Sequence, residues 1–457
     1  MHLKKTLTGL AALLCLATTV TGTADAAAPV VARHTGTLAD GATWIADVPA
    51  NWNGSLVLFS HGFRPGPDNP AADAPDPATA DALLHRGFAL AGSSYAHAGW
   101  ALDTAVADQL DTLAAVGHRV GRPREVLAYG QSMGGLVSAL LAERGRTAID
   151  GALTTCGLVG GALNLNNYQL DGTYAVASLL LPGEDVQLTG FTTAAQAQAT
   201  ADRLAAALRQ AQTTAAGRAR IALAATLFDM PDWAGDQPRP APTDYAAREQ
   251  GQYEIMLNVL QFVLPARVSI NAVAGGDSSW NAGVDYARLL RRSADRDLVQ
   301  ALYREAGAPL GGDLTRLTAG ARIRPSAAAI DWLGRTSVPT GRLAMPELTL
   351  HTVSDELAPV QYESEYSDKV AHAGKAALLR QAYVARAGHC RFTPAESVAA
   401  LLTLQDRVRS GHWGGTTEAA ALQAKAATLG LGDAAFERYR PGPFVNDRAD
   451  HLPGAPR

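Results

Sequence analysis

Residues 126–141 read VLAYGQSMGGLVSALL, and this stretch decides the fold of the chain. It opens with a short apolar run typical of a buried strand and closes with apolar residues on one face of a helix. Between the two, Gly130 and Gly134 flank Ser132 in a G-x-S-x-G pattern at a sharp turn, where glycines remove Cβ clashes. The N-terminus of the following helix directs its N–H groups at the site where negative charge would develop. The stretch therefore predicts Ser132 as a nucleophile, and the alternative is a structural glycine-rich turn.

Similar apolar runs alternate with helical stretches on both sides of this motif. The further predicted strands lie at residues 55–60, 88–93, 152–155, 348–353 and 378–384. This alternation is typical of an α/β fold with a mostly parallel sheet and crossover helices. Residues 393–396, TPAE, match a capping box with proline at the first helical position and predict a last helix. We therefore expect residues 27–156 and 344–440 to form one α/β core.

The strand rhythm disappears between residues 157 and 343, where the chain is alanine-rich and mainly helical. An apolar stripe in this region stops at Pro265. Because long insertions in compact domains are usually functional, residues 157–343 are predicted to form a helical cap over the serine. Phe262, Trp280 and Tyr286 are candidates for lining a substrate pocket, with core packing as the alternative for each.

The alternative to an inserted cap is a separate C-terminal domain that starts near residue 340. It is disfavoured because two strands and one helix are too few to bury a core. The proline- and charge-rich residues 441–457 are predicted to form a loosely held tail.

A serine hydroxyl needs a base and an orienting carboxylate before it can act as a nucleophile. His389 follows the last predicted strand and Asp355 follows the strand before it. The carboxyl ends of parallel strands meet at one sheet edge, so both residues are expected beside Ser132. His389 is therefore predicted as the base and Asp355 as the acid. Glu356 is the alternative acid, although Asp355 lies closer to the strand end.

Three other histidines are predicted to have no catalytic role. His351 lies inside a predicted strand, where packing in the core is expected. His372 and His412 lie on helical or loop surfaces without a strand end beside them.

An oxyanion formed at Ser132 would need two backbone N–H groups to stabilise it. Met133, directly after the serine, is predicted to supply one. Phe63, in the loop that follows the strand at residues 55–60, is predicted to supply the other. Gly62 would let the backbone approach the substrate oxygen. The alternative is that this loop is only a turn.

Residues 1–26 have the order of a secretory signal: two lysines, a short apolar stretch and small residues that predict cleavage near Ala26. The alternative is a buried N-terminal helix. A secreted protein folds in an oxidising compartment, so Cys156 and Cys390 are predicted to form a disulfide. The alternative is two buried free thiols.

The composition disfavours several other classes of protein. The 457 residues are 47% hydrophobic and 18% charged, with a net charge of −4, as in ordinary globular proteins. The charges are scattered, so no nucleic-acid surface is predicted. No segment after the N-terminus is predicted to be apolar enough to span a membrane, and no stable membrane anchor is expected. No metal-ligand motif or phosphate-binding loop is seen, so neither a metal nor a cofactor is predicted. The oligomeric state is left open.

In these motifs the chain resembles the α/β-hydrolase superfamily over about residues 27–156 and 344–410. The matching positions are His61, Gly62, Phe63, Gly130, Gln131, Ser132, Met133, Gly134, Asp355, Pro359, Gly388 and His389. The resemblance implies an α/β-hydrolase fold in which Ser132, Asp355 and His389 are nucleophile, acid and base.

A cysteine directly after the histidine is similar to secreted esterases of the tannase and feruloyl-esterase type. In those enzymes a disulfide joins the histidine loop to a cysteine just before the nucleophile. Here Gln131 takes that position, so Cys156 is the candidate replacement partner for Cys390.

Together these residues predict a secreted serine hydrolase that cleaves a small-molecule carboxylic ester through an acyl-enzyme. A serine exopeptidase with the same triad is the alternative, and it would need carboxylates to hold a free amino terminus. Glu249 and Glu254 are candidates, but they are five positions apart and would not share a helix face. A catalytically silent binding protein is less favoured, because binding alone does not require Ser, Asp and His at strand ends.

Overall fold

The computed structural model describes residues 30–145 and 147–448, and the predicted signal, residues 1–26, lies outside them. Nine strands of the described chain form one sheet in the order β1-β2-β4-β3-β5-β6-β7-β8-β9. The strands are β1 (Val31–Thr37), β2 (Thr43–Pro49), β3 (Ser55–Ser60), β4 (Ala89–Ser93), β5 (Glu125–Gln131), β6 (Gly151–Thr155), β7 (Glu347–Ser354), β8 (Leu379–Ala387) and β9 (Phe436–Glu437).

Most of this sheet is parallel. Strands β3 to β8 pair in parallel, whereas β1 and β2 at one edge and β9 at the other pair antiparallel. Because parallel strands end at the same edge, the carboxyl ends of β5, β6, β7 and β8 lie side by side. The predicted α/β fold class is confirmed, although the sequence analysis did not identify β2 and β9.

Helices cover both faces of the sheet. They are α1 (Pro77–His85), α2 (Ala105–Val120), α3 (Met133–Arg144), α4 (Gly161–Leu180), α5 (Ala194–Ala211), α6 (Ala215–Leu227), α7 (Tyr245–Ala274), α8 (Tyr286–Arg292), α9 (Arg296–Glu305), α10 (Leu310–Gly320), α11 (Ala327–Thr336), α12 (Gln361–His372), α13 (Pro394–Ser410) and α14 (Ala419–Ala427). The predicted capping box is present at the start of α13.

The two faces of the sheet carry two separate apolar cores. Successive side chains of a strand point to opposite faces. In β3, Leu56 and Leu58 pack with α2 and α3, while Val57 and Phe59 pack with α1 and α13. All four side chains are almost fully buried, which is why this strand reads as a continuous apolar run.

Helices α4 to α11 lie between β6 and β7, where the strand rhythm of the sequence disappears. Their apolar residues are continuous with the core on the α2–α3 face. Helix α7 runs for 30 residues straight through Pro265, so the prediction that the helical stripe stops there is wrong. Buried residues beyond the proline, among them Arg267 and Ile270, pack the second half of the helix, and this packing overrides the local helix-breaking tendency.

Helix α7 is also long and apolar enough to cross a membrane, by length and composition alone. The prediction that no segment after the N-terminus is this apolar is therefore wrong. Half of its apolar window is buried inside the protein, where the helix packs against α5 and α6. Helices buried in a protein core can be equally long and apolar, so these two properties are only weak evidence for a membrane contact.

The predicted loose tail does not hold for residues 444–448. Phe444 is buried and packs edge-on against the ring of Tyr362, with 4.9 Å between ring centroids. Asn446 donates a hydrogen bond of 2.6 Å to Asp171 of α4, and Arg448 forms an ion pair with the same carboxylate. The positive charge of Arg448 is thus paired inside the protein instead of being exposed to solvent. Residues 449–457 lie outside the described part of the chain.

Candidate active site

The turn between β5 and α3 holds Ser132 in a backbone conformation that residues other than glycine rarely adopt. Its φ is 62° and its ψ is −123°, and its N–H donates a 3.0 Å hydrogen bond to the carbonyl of Thr155 at the end of β6. A Cβ added to Gly130 would overlap the carbonyl of Gly134, and one added to Gly134 would overlap the carbonyl of Ser60. Glycines are therefore required on both sides of the serine.

Three predicted residues meet at this turn. The Ser132 hydroxyl lies 2.7 Å from His389 Nε2, and His389 Nδ1 lies 2.8 and 2.9 Å from the two oxygens of Asp355. The Asp355 carboxylate is 1% exposed and also accepts hydrogen bonds from the backbone N–H groups of Leu357 and Ala358. Since an aspartate can only accept from Nδ1–H, Nε2 is left free to accept the serine proton.

Electrostatics at the site keep Asp355 ionised. Burial by itself would raise the pKa of Asp355, but the charge and hydrogen bond of His389, and then the charge of His351, hold it below its ordinary value. Burial and the nearby Asp355 charge raise the pKa of Glu356. The hydrogen bonds of His389 Nδ1 go to Asp355 and not to Glu356, the alternative acid.

The three histidines that were predicted to have no catalytic role are His351, His372 and His412. His351 is fully buried in β7, as the sequence predicts, but its Nε2 lies 3.6 Å from Asp355 Oδ2. His372 ends α12 and His412 follows α13, and both are exposed.

Cys156 and Cys390 form the predicted disulfide, with 5.2 Å between their Cα atoms. Cys156 directly follows β6, and Cys390 directly follows His389. The two sulfurs and a His389 nitrogen lie within 4.8 Å of one another, a spacing that could suit a metal ion. The sulfurs are bonded to each other and are therefore not thiolates, and both His389 nitrogens already have partners in Ser132 and Asp355, so this group is a poor set of metal ligands.

Two backbone segments adjoin Ser132: the start of α3 and the loop after β3. Met133 is the first residue of α3, so its N–H has no partner within the helix. The loop after β3 passes close by: a Cβ added to Gly62 would lie 3.1 Å from Ser132 Cβ and 3.6 Å from Ser132 Oγ. Phe63, the next residue, lines the same cavity as Ser132.

This cavity has a volume of about 300 Å³, and both the sheet core and the insertion line it. Ser132 and His389 line it together with residues of α4 and α7 from the insertion. Phe262 of α7 lines it and packs edge-on against Phe63, with 6.1 Å between ring centroids. Residues of the insertion therefore line the same cavity as Ser132.

The other two aromatic candidates and the two glutamates lie elsewhere. Trp280 and Tyr286 are buried in the insertion, where the Tyr286 hydroxyl donates a 2.8 Å hydrogen bond to Asp171. Glu249 is buried and Glu254 is exposed, and neither lines the cavity.

One polar side chain of the cavity, which α4 supplies, was not predicted from the sequence. Gln169 lines it together with Leu165, one helical turn earlier. The four-residue spacing would place both on one face of a helix, but nothing in the sequence indicates that this face points at Ser132.

Proteins similar to this chain include an amidase, an esterase and a lipase. No family model matches the chain. Over 423 residues it is 31% identical to the o-phthalyl amidase of Xanthobacter agilis, which covers 85% of this chain and 91% of that protein. Similar solved structures include an esterase from Aspergillus oryzae (14% identity, 83% of this chain and 80% of that chain, TM-score 0.39) and lipase A of Candida antarctica (12% identity, 83% and 77%, TM-score 0.37). The extent of the sequence match shows that this chain belongs to the same family as the Xanthobacter agilis o-phthalyl amidase.

Proposed function

We propose that the protein is a serine hydrolase that cleaves a carboxylic ester of a small molecule through an acyl-enzyme. The observation that carries this proposal is the unbroken hydrogen-bond chain from the Ser132 hydroxyl through His389 to the buried Asp355 carboxylate. Such a chain supplies a nucleophile, a general base and a group that fixes the tautomer of the base.

In the proposed reaction, His389 Nε2 accepts the Ser132 proton as the serine oxygen attacks the ester carbonyl. The tetrahedral intermediate collapses, His389 donates that proton to the leaving alcohol, and the acyl group stays on Ser132. A water molecule then gives a proton to His389 and attacks the acyl-enzyme, which releases the acid and restores the serine hydroxyl. Asp355 stabilises the imidazolium that forms in each half of the reaction.

We assign stabilisation of the oxyanion to the N–H groups of Met133 and Phe63. The unpaired position of Met133 N–H at the start of α3 supports the first assignment. The close approach of Gly62 to Ser132 supports the second, because it brings the following peptide to the serine oxygen. The positive end of the α3 dipole favours negative charge at the same point.

Amide hydrolysis is the second candidate, and the relative named as an o-phthalyl amidase favours it. An alcohol leaves a tetrahedral intermediate more easily than an amine, so a triad that cleaves an amide also cleaves an ester of the same acyl group. Both an esterase and an amidase are therefore expected to cleave the ester, and only an amidase is expected to cleave the corresponding amide.

Neither an exopeptidase nor a silent binding protein gains support from the site. No aspartate or glutamate is among the described residues that line the cavity, so nothing there would hold the free amino terminus of a peptide. A silent binding protein would not need a buried carboxylate to orient a histidine toward a serine.

We further propose that residues 157–343 act as a cap and that the protein is secreted. The cavity wall formed by α4 and α7 supports a cap that shapes the substrate pocket and excludes water. The disulfide between Cys156 and Cys390 supports folding in an oxidising compartment.

The test pairs a p-nitrophenyl ester with a p-nitroanilide of the same short acyl group. Ser132→Ala is expected to lower kcat on the ester by at least about 10⁴-fold, because the triad acts as a unit. Its melting temperature should stay near that of the wild type, since one hydroxyl is lost from a turn. Ser364→Ala on α12, away from the cavity, is the matched control and should keep full activity. Retention of ester hydrolysis by Ser132→Ala contradicts the proposal, and wild-type cleavage of the anilide at a comparable rate favours the amidase.

A further inference from the structure

The cavity that Ser132 lines has an open end and an inner end, which differ in how far their residues are exposed. Ser132, His389 and Phe63 are half-buried and belong to the open end. The inner end consists of the fully buried lining residues Trp100, Leu158, Leu165, Gln169, Val263 and Ile270. The proposed nucleophile therefore lies at the open end, and the inner end extends from it into the protein.

Helix α7 shows the direction in which the cavity deepens. Phe262, Ala266 and Ile270 line the cavity at four-residue spacing, so they lie on one face of the helix. Phe262 is 40% exposed, Ala266 is half-buried and Ile270 is only 3% exposed. At a rise of ~1.5 Å per residue, this stripe is about 12 Å long. The cavity therefore runs inward along α7 from Phe262 to Ile270.

The inner end offers apolar surface and few hydrogen-bonding atoms. The indole N–H of Trp100 is its only side-chain donor, and it donates a 3.1 Å hydrogen bond to Ser337 Oγ. Gln169 Oε1 has almost no accessible surface, so this oxygen does not face the cavity. None of the described residues that line the cavity is a lysine, arginine, aspartate or glutamate. A charged group in the inner end would lose its hydration without gaining a partner, which is strongly unfavourable.

The order of steps in the proposed reaction determines which part of an ester occupies the inner end. The alcohol leaves first and needs a path to solvent, whereas the acyl group stays bonded to Ser132 until water attacks. The alcohol is therefore placed at the open end and the acyl group in the inner end. Ile270, at the buried end of the stripe on α7, lies where the far end of that acyl group would reach.

We propose that the inner end binds an uncharged, apolar acyl group and that Ile270 limits the length of this group. This inference rests on the proposed function, because the acyl group is that of an ester cleaved at Ser132. The cavity volume of about 300 Å³ lies at the lower end of the range for small-molecule sites, which favours a short acyl chain. Each methylene group that the chain buries against these apolar side chains adds to its binding.

The first experiment varies the length of the acyl chain. The octanoate-to-butyrate ratio of kcat/KM for p-nitrophenyl esters is measured in the wild type, Ile270→Phe and Ile270→Ala. Phenylalanine fills the inner end, so the ratio is expected to fall at least about tenfold, as when a pocket rejects an additional methylene group. Alanine vacates space there, so the ratio is expected to rise about fourfold or more, the effect of one further buried methylene group. The alanine variant also tests the claim if the phenylalanine variant does not fold.

A matched control on the same helix separates a specific effect from a general one. Leu257 is a half-buried residue of α7 that does not line the cavity. Leu257→Phe adds a ring to α7 outside the cavity and should keep the wild-type ratio.

The second experiment changes only the far end of the acyl chain. The probes are p-nitrophenyl hexanoate and the p-nitrophenyl monoester of adipic acid, whose acyl chains have the same number of carbons and end in a methyl group and a carboxylate, respectively. The wild type is expected to prefer the hexanoate by about 100-fold or more in kcat/KM, because the described lining offers the carboxylate no cation. Comparable values for the two esters would overturn the assignment of an uncharged acyl group.

Labelling of Ser132 with a fluorophosphonate separates this inference from the proposed function. If the reagent does not label Ser132, the proposed function fails, whatever the ratios are. If Ser132 is labelled and the octanoate-to-butyrate ratio is the same in the wild type and in the folded Ile270 variants, the proposed function stands and the role of Ile270 is overturned. A fall in Ile270→Phe together with a rise in Ile270→Ala supports that role.

Discussion

Asp355 lies between two imidazoles, and only one of them belongs to the proposed triad. His351 donates through Nε2 to the carbonyl of Ala358 at 2.8 Å, and its Nδ1 lies 3.0 Å from Glu363 Oε1. Burial alone would lower the pKa of His351, but the hydrogen bond and charge of Glu363 and the charge of Asp355 raise it above its ordinary value. The charged form of His351 is therefore favoured where it faces the carboxylate that orients His389. The hydrogen bond from His351 to Ala358 also holds the loop after β7.

We predict that His351→Gln keeps the fold but lowers kcat by roughly fivefold to tenfold, because about 1 kcal/mol of orientation and charge stabilisation is lost. Without the second imidazole the pKa of Asp355 rises, so the acid limb of the pH–rate profile should move to higher pH. His372→Gln, on an exposed histidine, is the control and should change neither quantity. A lower kcat with an unmoved acid limb would mean that His351 acts only through packing.

At this scale the chemistry-bearing residues are the easiest to predict. Ser132, Asp355 and His389 each follow a strand, and the common edge of a parallel sheet brings them together. The contact between His351 and Asp355 was not predicted, because it arises where the loop after β7 folds back on its own strand. Gln169 was missed for a related reason, since no local pattern shows which helix of an insertion covers a site.

Among the elements, the loop after β8 carries His389 and is joined by the disulfide to the end of β6. The bridge spans 234 residues of sequence, so its loss frees a large loop in the unfolded chain. It also restrains the residue next to the proposed base. The disulfide is therefore expected to affect both the stability of the protein and the position of His389.

We predict that the double variant Cys156→Ser/Cys390→Ser is less stable than the wild type by about 2–4 kcal/mol and has a lower kcat, because the His389 loop is no longer held. Chemical denaturation and ester hydrolysis with and without a reductant check this. The reductant should move the wild type toward the double variant and leave the variant unchanged. Equal sensitivity of both proteins to reductant would contradict the prediction.

The positions of the strands were predicted from the sequence more accurately than the ends of the helices. The buried strands β3 to β8 read as short apolar runs between turn residues, so their positions follow from composition. Helix α7 was cut short in the prediction, because a proline is a local signal and the packing of Arg267 and Ile270 beyond it is not. The arrangement of the insertion helices depends on such contacts throughout.

For the whole molecule, several buried carboxyls hold protons that the unfolded chain would release. Burial raises the pKa of Glu347, Glu249 and Asp108 to about 7 in each case. Between about pH 4.5 and 7 the folded protein thus binds more protons than the unfolded chain, whose carboxyls titrate near pH 4. These carboxyls make stability fall as the pH rises through this range, and the buried His61, whose pKa is lowered to about 4, opposes part of that fall. The raised pKa of His351 acts in the same direction at its upper end.

We predict a melting temperature that is higher at pH 5 than at pH 7.5. Glu347→Gln should reduce this difference, because no group at that position then titrates. Thr154 and Tyr366 donate to different oxygens of Glu347, so the amide oxygen keeps only one of these two hydrogen bonds. Differential scanning calorimetry across this range checks both statements. Glu418→Gln, at an exposed position before α14, should keep the wild-type difference. A melting temperature that rises from pH 5 to pH 7.5 would contradict the prediction.

The buried contact of Asp171 with Asn446 and Arg448 has a consequence for the order in which the protein is made. Asn446 and Arg448 lie 275 and 277 positions after Asp171. Helix α4 is therefore synthesised long before the residues that pair with its buried carboxylate. Until residue 448 has been synthesised, Asp171 is a charge without its cation, and an unpaired buried charge is strongly unfavourable. Helix α4 also carries Gln169 into the wall over Ser132. Helix α4 can therefore take its final place in the cavity wall only after residues 446–448 have docked, so we expect the substrate pocket to reach its final shape late in folding.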